Sequence, residues 1–271
     1  MTPRTLTALV ALVRLPNGLV AAGAVFVGGR WAGGGWWNPR VALAAASAVA
    51  LTAVANAVND YQDASIDIVA HPNRPIPSGA IAARTALGVA GSAAVIGIGC
   101  AAMAAPGLGL LSLGVVAAMV SYGVIKARSG VAANAMVAAL GALPFLYGAW
   151  AAGVPSAAGP LVALAAPLQF AREVAKDIDD VTGDRGRRQT LPLVAGTGAA
   201  RAIGTASAIL AIAVLATFGH GRPPLAAATL FPAGAVAGVG AWRLAKGQSR
   251  AATIFKVAMV LAILAMVALA P

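Results

Sequence analysis

The chain has 271 residues, 60% of them hydrophobic and only 10% charged, with a mean hydropathy of +0.85; these values exclude an ordinary soluble protein and place it among polytopic membrane proteins. At about 20 residues per crossing plus short loops, the length allows roughly nine or ten helices and no soluble domain, so residues 1–271 read as one transmembrane domain. The formal charge of +11 does not imply nucleic acid, because the basic residues are scattered between apolar runs and form no contiguous patch with interleaved aromatics.

In chain order, the apolar runs predict nine spans near 6–28, 40–58, 84–104, 107–125, 131–151, 159–175, 200–218, 223–242 and 252–270. The first is long enough to cross and lacks a short cleavable core, so it is expected to be a retained helix. It carries a buried amide, Asn17, after Arg14-Leu15-Pro16. The second ends in two more amides, Asn56 and Asn59, and runs into the acidic stretch Asn59-Asp60-Tyr61-Gln62-Asp63-Ala64-Ser65-Ile66-Asp67. The third holds the only cysteine, Cys100, in an apolar setting, so no disulfide forms within the chain. Span four ends in Ser121-Tyr122-Gly123, followed by Lys126 and Arg128, and span five contains Asn134. Span six closes with Arg172, Glu173 and Lys176, then a second acidic stretch, Asp177 to Asp184. Ala105-Pro106-Gly107, Gly153-Val154-Pro155 and Arg222-Pro223-Pro224 punctuate turns. Interior glycines such as Gly97 and Gly238 allow helices to approach closely in a bilayer.

The two acidic stretches share the register D-x2-D-x3-D and, with Glu173, hold all eight acidic residues of the chain. On a continuous helix such positions fall within about 60° of arc, so Asp60, Asp63 and Asp67 would share a face, as would Asp177, Asp180 and Asp184. Both stretches extend helix carboxyl termini, where the macrodipole and mutual repulsion disfavour carboxylates. A cation is needed to offset this. Hard oxygen ligands point to Mg2+, which pairs carboxylates with substrate phosphate, and Asn59 would complete a ligand set with Asp60, Asp63, Asp67, Asp177, Asp180 and Asp184. The plainer alternative is a pair of solvated acidic loop ends, ion-paired with nearby arginines. Arg74, Lys126, Arg128, Arg172 and Lys176 are candidates to hold a diphosphate through charge-assisted hydrogen bonds; each is also explained by topology alone. Asn17, Asn56, Asn134 and Tyr122 are candidate substrate contacts or, equally, helix-to-helix hydrogen bonds. Arg185, Arg187 and Arg188 are further candidates to meet an acceptor's phosphate.

Nine spans put the termini on opposite sides. Of the 19 basic residues, 16 fall on the amino-terminal side, and only Arg30, Arg40 and Arg222 on the other. The expectation is a cell-membrane protein with its amino terminus and both acidic stretches in the cytoplasm, and with Trp31, Trp36, Trp37 and Trp150 at the outer interface. The acidic stretches lie four spans apart. That spacing predicts two four-helix units repeated in parallel plus one extra helix, around a central cavity between them.

At these residues the chain resembles the UbiA superfamily of intramembrane prenyltransferases. Asn59-Asp60-x-x-Asp63-x-x-x-Asp67 is similar to the family's first motif, followed by Asn73-Arg74-Pro75-Ile76-Pro77-Ser78-Gly79. Arg172 to Asp184, then Thr190-Leu191-Pro192, is most similar to the branch that builds ether lipids. The resemblance covers essentially the whole length. It implies an all-α fold of nine spans, two Mg2+ ions bridging a polyprenyl diphosphate, and transfer of a prenyl group, geranylgeranyl in that branch, to a lipophilic acceptor, the hydroxyl of geranylgeranylglyceryl phosphate. Other acceptors within the superfamily are aromatic quinone precursors and tetrapyrroles, and its cyclases use none. A transporter built on the repeat is the rival from another class, but transporters place ionisable groups near the bilayer midplane, whereas here they lie at the edge.

Overall fold

The computed structural model describes residues 3–186 and 188–270 and is helical, with no strand among these residues. Its elements are α1 (Pro3–Val13), α2 (Leu15–Trp31), α3 (Pro39–Gln62), α4 (Ala64–Ala70), α5 (Ala83–Ala104), α6 (Pro106–Arg128), α7 (Gly130–Ala151), a single 3-10 turn (Pro155–Ala158), α8 (Gly159–Asp179), α9 (Val181–Asp184), α10 (Leu191–Val194), α11 (Thr197–Thr217), α12 (Pro224–Ala228), α13 (Phe231–Ala245) and α14 (Ala251–Leu269). Seven helices among the described residues are long and apolar enough to cross a membrane, counting Pro224–Ala245 as one; an eighth follows if the bent pair α1 and α2 is one span. The remaining expected span, α8, has 21 residues but carries Arg172, Glu173, Lys176, Asp177 and Asp179 in its last two turns, which lowers its hydropathy.

Local chemistry explains the breaks. Proline opens α3 and α6 and stands second in α2 and α8, where its missing N–H removes no helical bond. Asn38 caps α3 by accepting from the backbone N–H of Arg40 (3.0 Å) and Val41 (3.4 Å). Between α1 and α2, Arg14 takes a left-handed conformation (φ 49°, ψ 55°) and the axes bend by 43°. A non-glycine residue is rarely held there without cause.

The two largest of the four apolar clusters that make up the core meet at α2 and α7. These helices cross almost backbone to backbone, through two glycines used reciprocally. A Cβ on Gly28 would fall 2.0 Å from the Phe145 carbonyl oxygen, and one on Gly148 would fall 1.8 Å from that of Val25. Val25 to Phe145 and Gly28 to Gly148 are both offsets of 120 residues. Around this crossing α3, α5 and α6 pack on one side and α8, α11, α13 and α14 on the other, with α14 closing back against α2.

Candidate active site

The first acidic triad does not lie on one continuous helix. Asp63 caps α3, its N–H bonding the Asn59 carbonyl (2.9 Å), and at the same time opens α4, so Asp67 sits on a separate short helix. The second triad has the same construction: Asp180, whose N–H bonds the Lys176 carbonyl (2.9 Å), separates α8 from α9. In both, the middle aspartate is the joint. The reason is electrostatic: a helix running through three carboxylates at its negative end is unfavourable, and breaking it at the joint lets the carboxylates turn to separate polar partners, most of them cations.

Those cations are arginines. Asp60 is 1% exposed and accepts from Arg14 Nη2 at 2.5 Å, with Arg74 Nη1 at 3.7 Å. The same Arg74 nitrogen donates to Asp67 Oδ2 at 2.6 Å, so Arg74 ties both ends of the first triad. Across the site, Asn134 Nδ2 on α7 donates to Asp177 Oδ2 at 2.8 Å, both residues being buried. Arg188 joins the halves: its Nη2 donates to Asp63 Oδ1 at 2.5 Å and its Nη1 to Asp184 Oδ1 at 3.1 Å. Two carboxylates from stretches far apart in sequence thus share one guanidinium. Burial works against the Arg188 charge, but Asp63 and Asp184 outweigh it and hold its pKa above the ordinary arginine value.

Lys126, at the end of α6, is buried with its ammonium 5.3 Å from the centre of the Tyr122 ring, within electrostatic reach of Asp63, Asp177, Lys176 and Arg188. Glu173, one turn before Asp177 on α8, is buried; its Oε1 accepts from Gln169 Nε2 (3.2 Å) and pairs with Arg172. Arg128, Lys176 and Asp180 are exposed, and Asn59 is half-buried. Asn56 Nδ2 donates to the Val13 carbonyl (3.0 Å), satisfying the end of α1 at the bend, and Asn17 Oδ1 accepts from Lys256 Nζ on α14 (3.2 Å). Beside the first triad a cleft of about 490 Å³ is lined by Arg14, Asp60, His71, Asn73 and Arg74. Arg187 lies outside the described residues.

Arg14 and Arg188 were the structural surprises. Sequence reasoning counted Arg14 for topology only and set Arg188 apart from the metal triads; the one available signal for Arg14 was its position just before Leu15-Pro16, a helix start that forces the chain to turn. Among the described residues no three acidic, imidazole or thiol side chains stand close enough to hold an ion as they lie, because each paired carboxylate faces its arginine or amide. The donors nevertheless suit Mg2+: carboxylate oxygens on opposed, separately hinged segments, with cations nearby for a phosphate.

The model of the UbiA prenyltransferase family matches residues 21–269. The chain belongs to this family. Its relatives include the digeranylgeranylglyceryl phosphate synthase of Halobacterium salinarum, 43% identical over 202 residues covering 72% of this chain and 71% of the relative, and that of Methanopyrus kandleri, 35% identical over 280 residues covering 96% and 98%. Among solved structures, the apo UbiA homologue from Aeropyrum pernix superposes with a TM-score of 0.82 at 19% identity, covering 93% of this chain and 97% of its own. The UbiA homologue from Archaeoglobus fulgidus bound to GPP and Mg2+ gives 0.66 at 16% identity, covering 97% and 99%. The UbiA family fold and a prenyltransferase activity class are therefore established for this protein, and its long apolar helices make it an integral membrane protein.

Proposed function

We propose that the protein transfers a geranylgeranyl group from its diphosphate to the hydroxyl of geranylgeranylglyceryl phosphate, with Mg2+ as cofactor. The observation that carries this is the Arg188 bridge: the two acidic triads, though borne by different halves of the chain, come within reach of one side chain. The named relatives support the acceptor, and the Archaeoglobus homologue, with GPP and Mg2+ bound, supports the metal.

Asn59, Asp60, Asp63, Asp67, Asp177, Asp180 and Asp184 would hold the ions. When bound, Mg2+ neutralises the charge that develops on a departing diphosphate. The protein's own groups do the rest. Lys126, buried between the triads, holds diphosphate oxygens, helped by Arg172, Lys176 and Arg128 at the rim. Arg14, Arg74 and Arg188 neutralise the carboxylates until substrate arrives, then are free to meet phosphate. Tyr122 walls the site under Lys126, and Asn134 fixes Asp177. Asn17 and Asn56 hold the bend of the first span in place. Electrostatic stabilisation of this kind acts strongly where water is excluded.

This reading takes the chain as nine spans, with α8 and the bent α1–α2 pair each crossing once, and as two four-helix units related by a pseudo-twofold axis, plus α14. The reciprocal glycines support it, and so do two contacts: Arg14 to Asp60 and Asn134 to Asp177 join equivalent helices, 120 residues apart on the first helix of each unit and 117 on the second. The excess of basic residues on one side supports a cytoplasmic amino terminus and active site.

The test is to incubate purified protein in detergent with labelled geranylgeranyl diphosphate and, separately, geranylgeranylglyceryl phosphate, aromatic quinone precursors, tetrapyrroles and no acceptor, with Mg2+ or EDTA. Ether product only in the glycerol-phosphate reaction, and only with Mg2+, is expected. Product from another acceptor, or from the substrate alone, would overturn the acceptor.

A further inference from the structure

We propose that Glu173 is the base that removes the proton from the acceptor's hydroxyl, a role that rests on the ether-forming reading above. It is the one acidic residue outside both acidic stretches, and it is not among the carboxylates assigned to the metal ions. One helical turn, about 6 Å, separates it from Asp177 on the side away from the solvent-facing end of α8. A diphosphate held between the triads would extend its apolar prenyl chain, and with it the reacting carbon, into the bundle on that same side. Glu173 is 6% exposed, and its partner Gln169 packs against Gly141 of α7, so it faces the inside of the bundle rather than lipid.

Its partners suit a base. Both contacts, Gln169 Nε2 and the Arg172 guanidinium, fall on Oε1, and among the described residues no hydrogen bond is made by Oε2. Both partners thus hold one carboxylate oxygen and leave the other to accept a proton. Gly141 of α7 makes room for this arrangement, since a Cβ there would come 3.1 Å from Gln169 Cγ. Counting back 117 residues, the pseudo-equivalent of Glu173 is Asn56, whose amide is committed to the Val13 carbonyl. Only one half of the bundle carries an acid at this level.

The step balances. The bond from the prenyl C1 to the bridging diphosphate oxygen breaks and its electron pair leaves with pyrophosphate. A lone pair of the acceptor's hydroxyl oxygen forms the new C–O bond to C1, and the hydroxyl proton passes to Glu173 Oε2, then to solvent. General bases of this kind contribute about 10²–10⁴-fold.

The experiment compares wild type, Glu173→Gln and Glu173→Asp, measuring pyrophosphate release and ether formation separately. In Glu173→Gln, ether formation should fall at least about 100-fold, while Mg2+-dependent pyrophosphate release persists with water capturing the prenyl group as free alcohol. Glu173→Asp, which keeps a carboxylate, should recover ether formation in part. Equal loss of both products in Glu173→Gln, or a Gln variant no worse than the Asp variant, would assign Glu173 to packing and overturn the proposal. If wild type forms ether and Glu173→Gln does too, only the role of Glu173 fails; if wild type forms none, the acceptor reading fails and takes this role with it.

Discussion

Arg188 makes the most exposed claim about how the site is held without metal. Its side chain is 14% exposed, that of Asp63 17% and that of Asp184 7%, so Arg188→Met leaves two mostly buried carboxylates facing each other without a cation. Removing one partner of a buried pair costs about 3–5 kcal/mol; with this degree of exposure the lower end, about 3 kcal/mol, is expected. For a chain of this size that is a fall in Tm of about 6–12 °C. Mg2+ with pyrophosphate should shrink the gap. In the wild type the incoming ion must first displace Arg188 from both carboxylates, whereas in the variant it meets them unpaired and supplies the missing charge. Saturation at about 100 times Kd contributes about 2.7 kcal/mol, close to what the substitution removes. Thermal unfolding in detergent, in EDTA and then in Mg2+ with pyrophosphate, measures both values. The folded pKa of Arg188 is raised, so its contribution is fully present below the ordinary guanidinium value and lost only as pH rises through the folded one. The EDTA gap should therefore hold steady between about pH 6 and about pH 9. A gap of the same size with and without Mg2+, or none in EDTA, would refute the view that Arg188 stands in for the metal.

Three further outcomes are expected. Asp63→Ala and Asp180→Ala should each abolish Mg2+-dependent pyrophosphate release, because each removes the joint on which its triad turns; wild-type turnover in either would remove the metal assignment. Gly148→Ala places a methyl 1.8 Å from the Val25 carbonyl and should cost about 3 kcal/mol or more, at the upper end of overpacking. Gly238→Ala, which meets nothing within 4 Å, should not; similar melting curves for the two would contradict the close crossing. In a Cys100→Ser background, Trp37→Cys should be labelled by a membrane-impermeant thiol reagent from outside intact cells and Gln248→Cys only after lysis; the reverse pattern would invert the proposed orientation.

The aspartate register was legible because carboxylates are so scarce in an apolar chain that their spacing cannot be background. Their partners were not. Arg14 reaches Asp60 only because the backbone at Arg14 turns left-handed, a tertiary choice that no propensity reports. Arg188 reads from the sequence as a candidate for an acceptor's phosphate or as one more topology charge, since neither the motif nor a charge count tells which way a side chain points. The expected shared helix face was likewise an extrapolation of period 3.6; dipole and repulsion broke the helix at Asp63 and Asp180 instead. Span boundaries held where proline or glycine marks the turn, as at Pro39, Pro106 and Pro224.

The two halves are most informative where they disagree. In the proposed repeat, α3 has 24 residues and its counterpart α8 has 21, the two starting 120 residues apart; the three missing residues account for the triads lying 117 apart. With that correction, the wall around the site can be compared position by position. At the level of the first aspartate, one half offers a guanidinium, Arg14, and the other a neutral amide, Asn134. One turn deeper, the first half has the amide of Asn56 and the second the carboxylate of Glu173. On the proposed repeat, matched positions differ in charge: a cation against an amide at one level, an amide against an acid at the next. A symmetric cage would suffice to grip an ion pair of metals. A reaction that binds an anion and also disposes of a proton needs two different sets of groups, and two identical walls would supply only one. In the proposed reaction, the departures from the proposed repeat supply those two sets of groups.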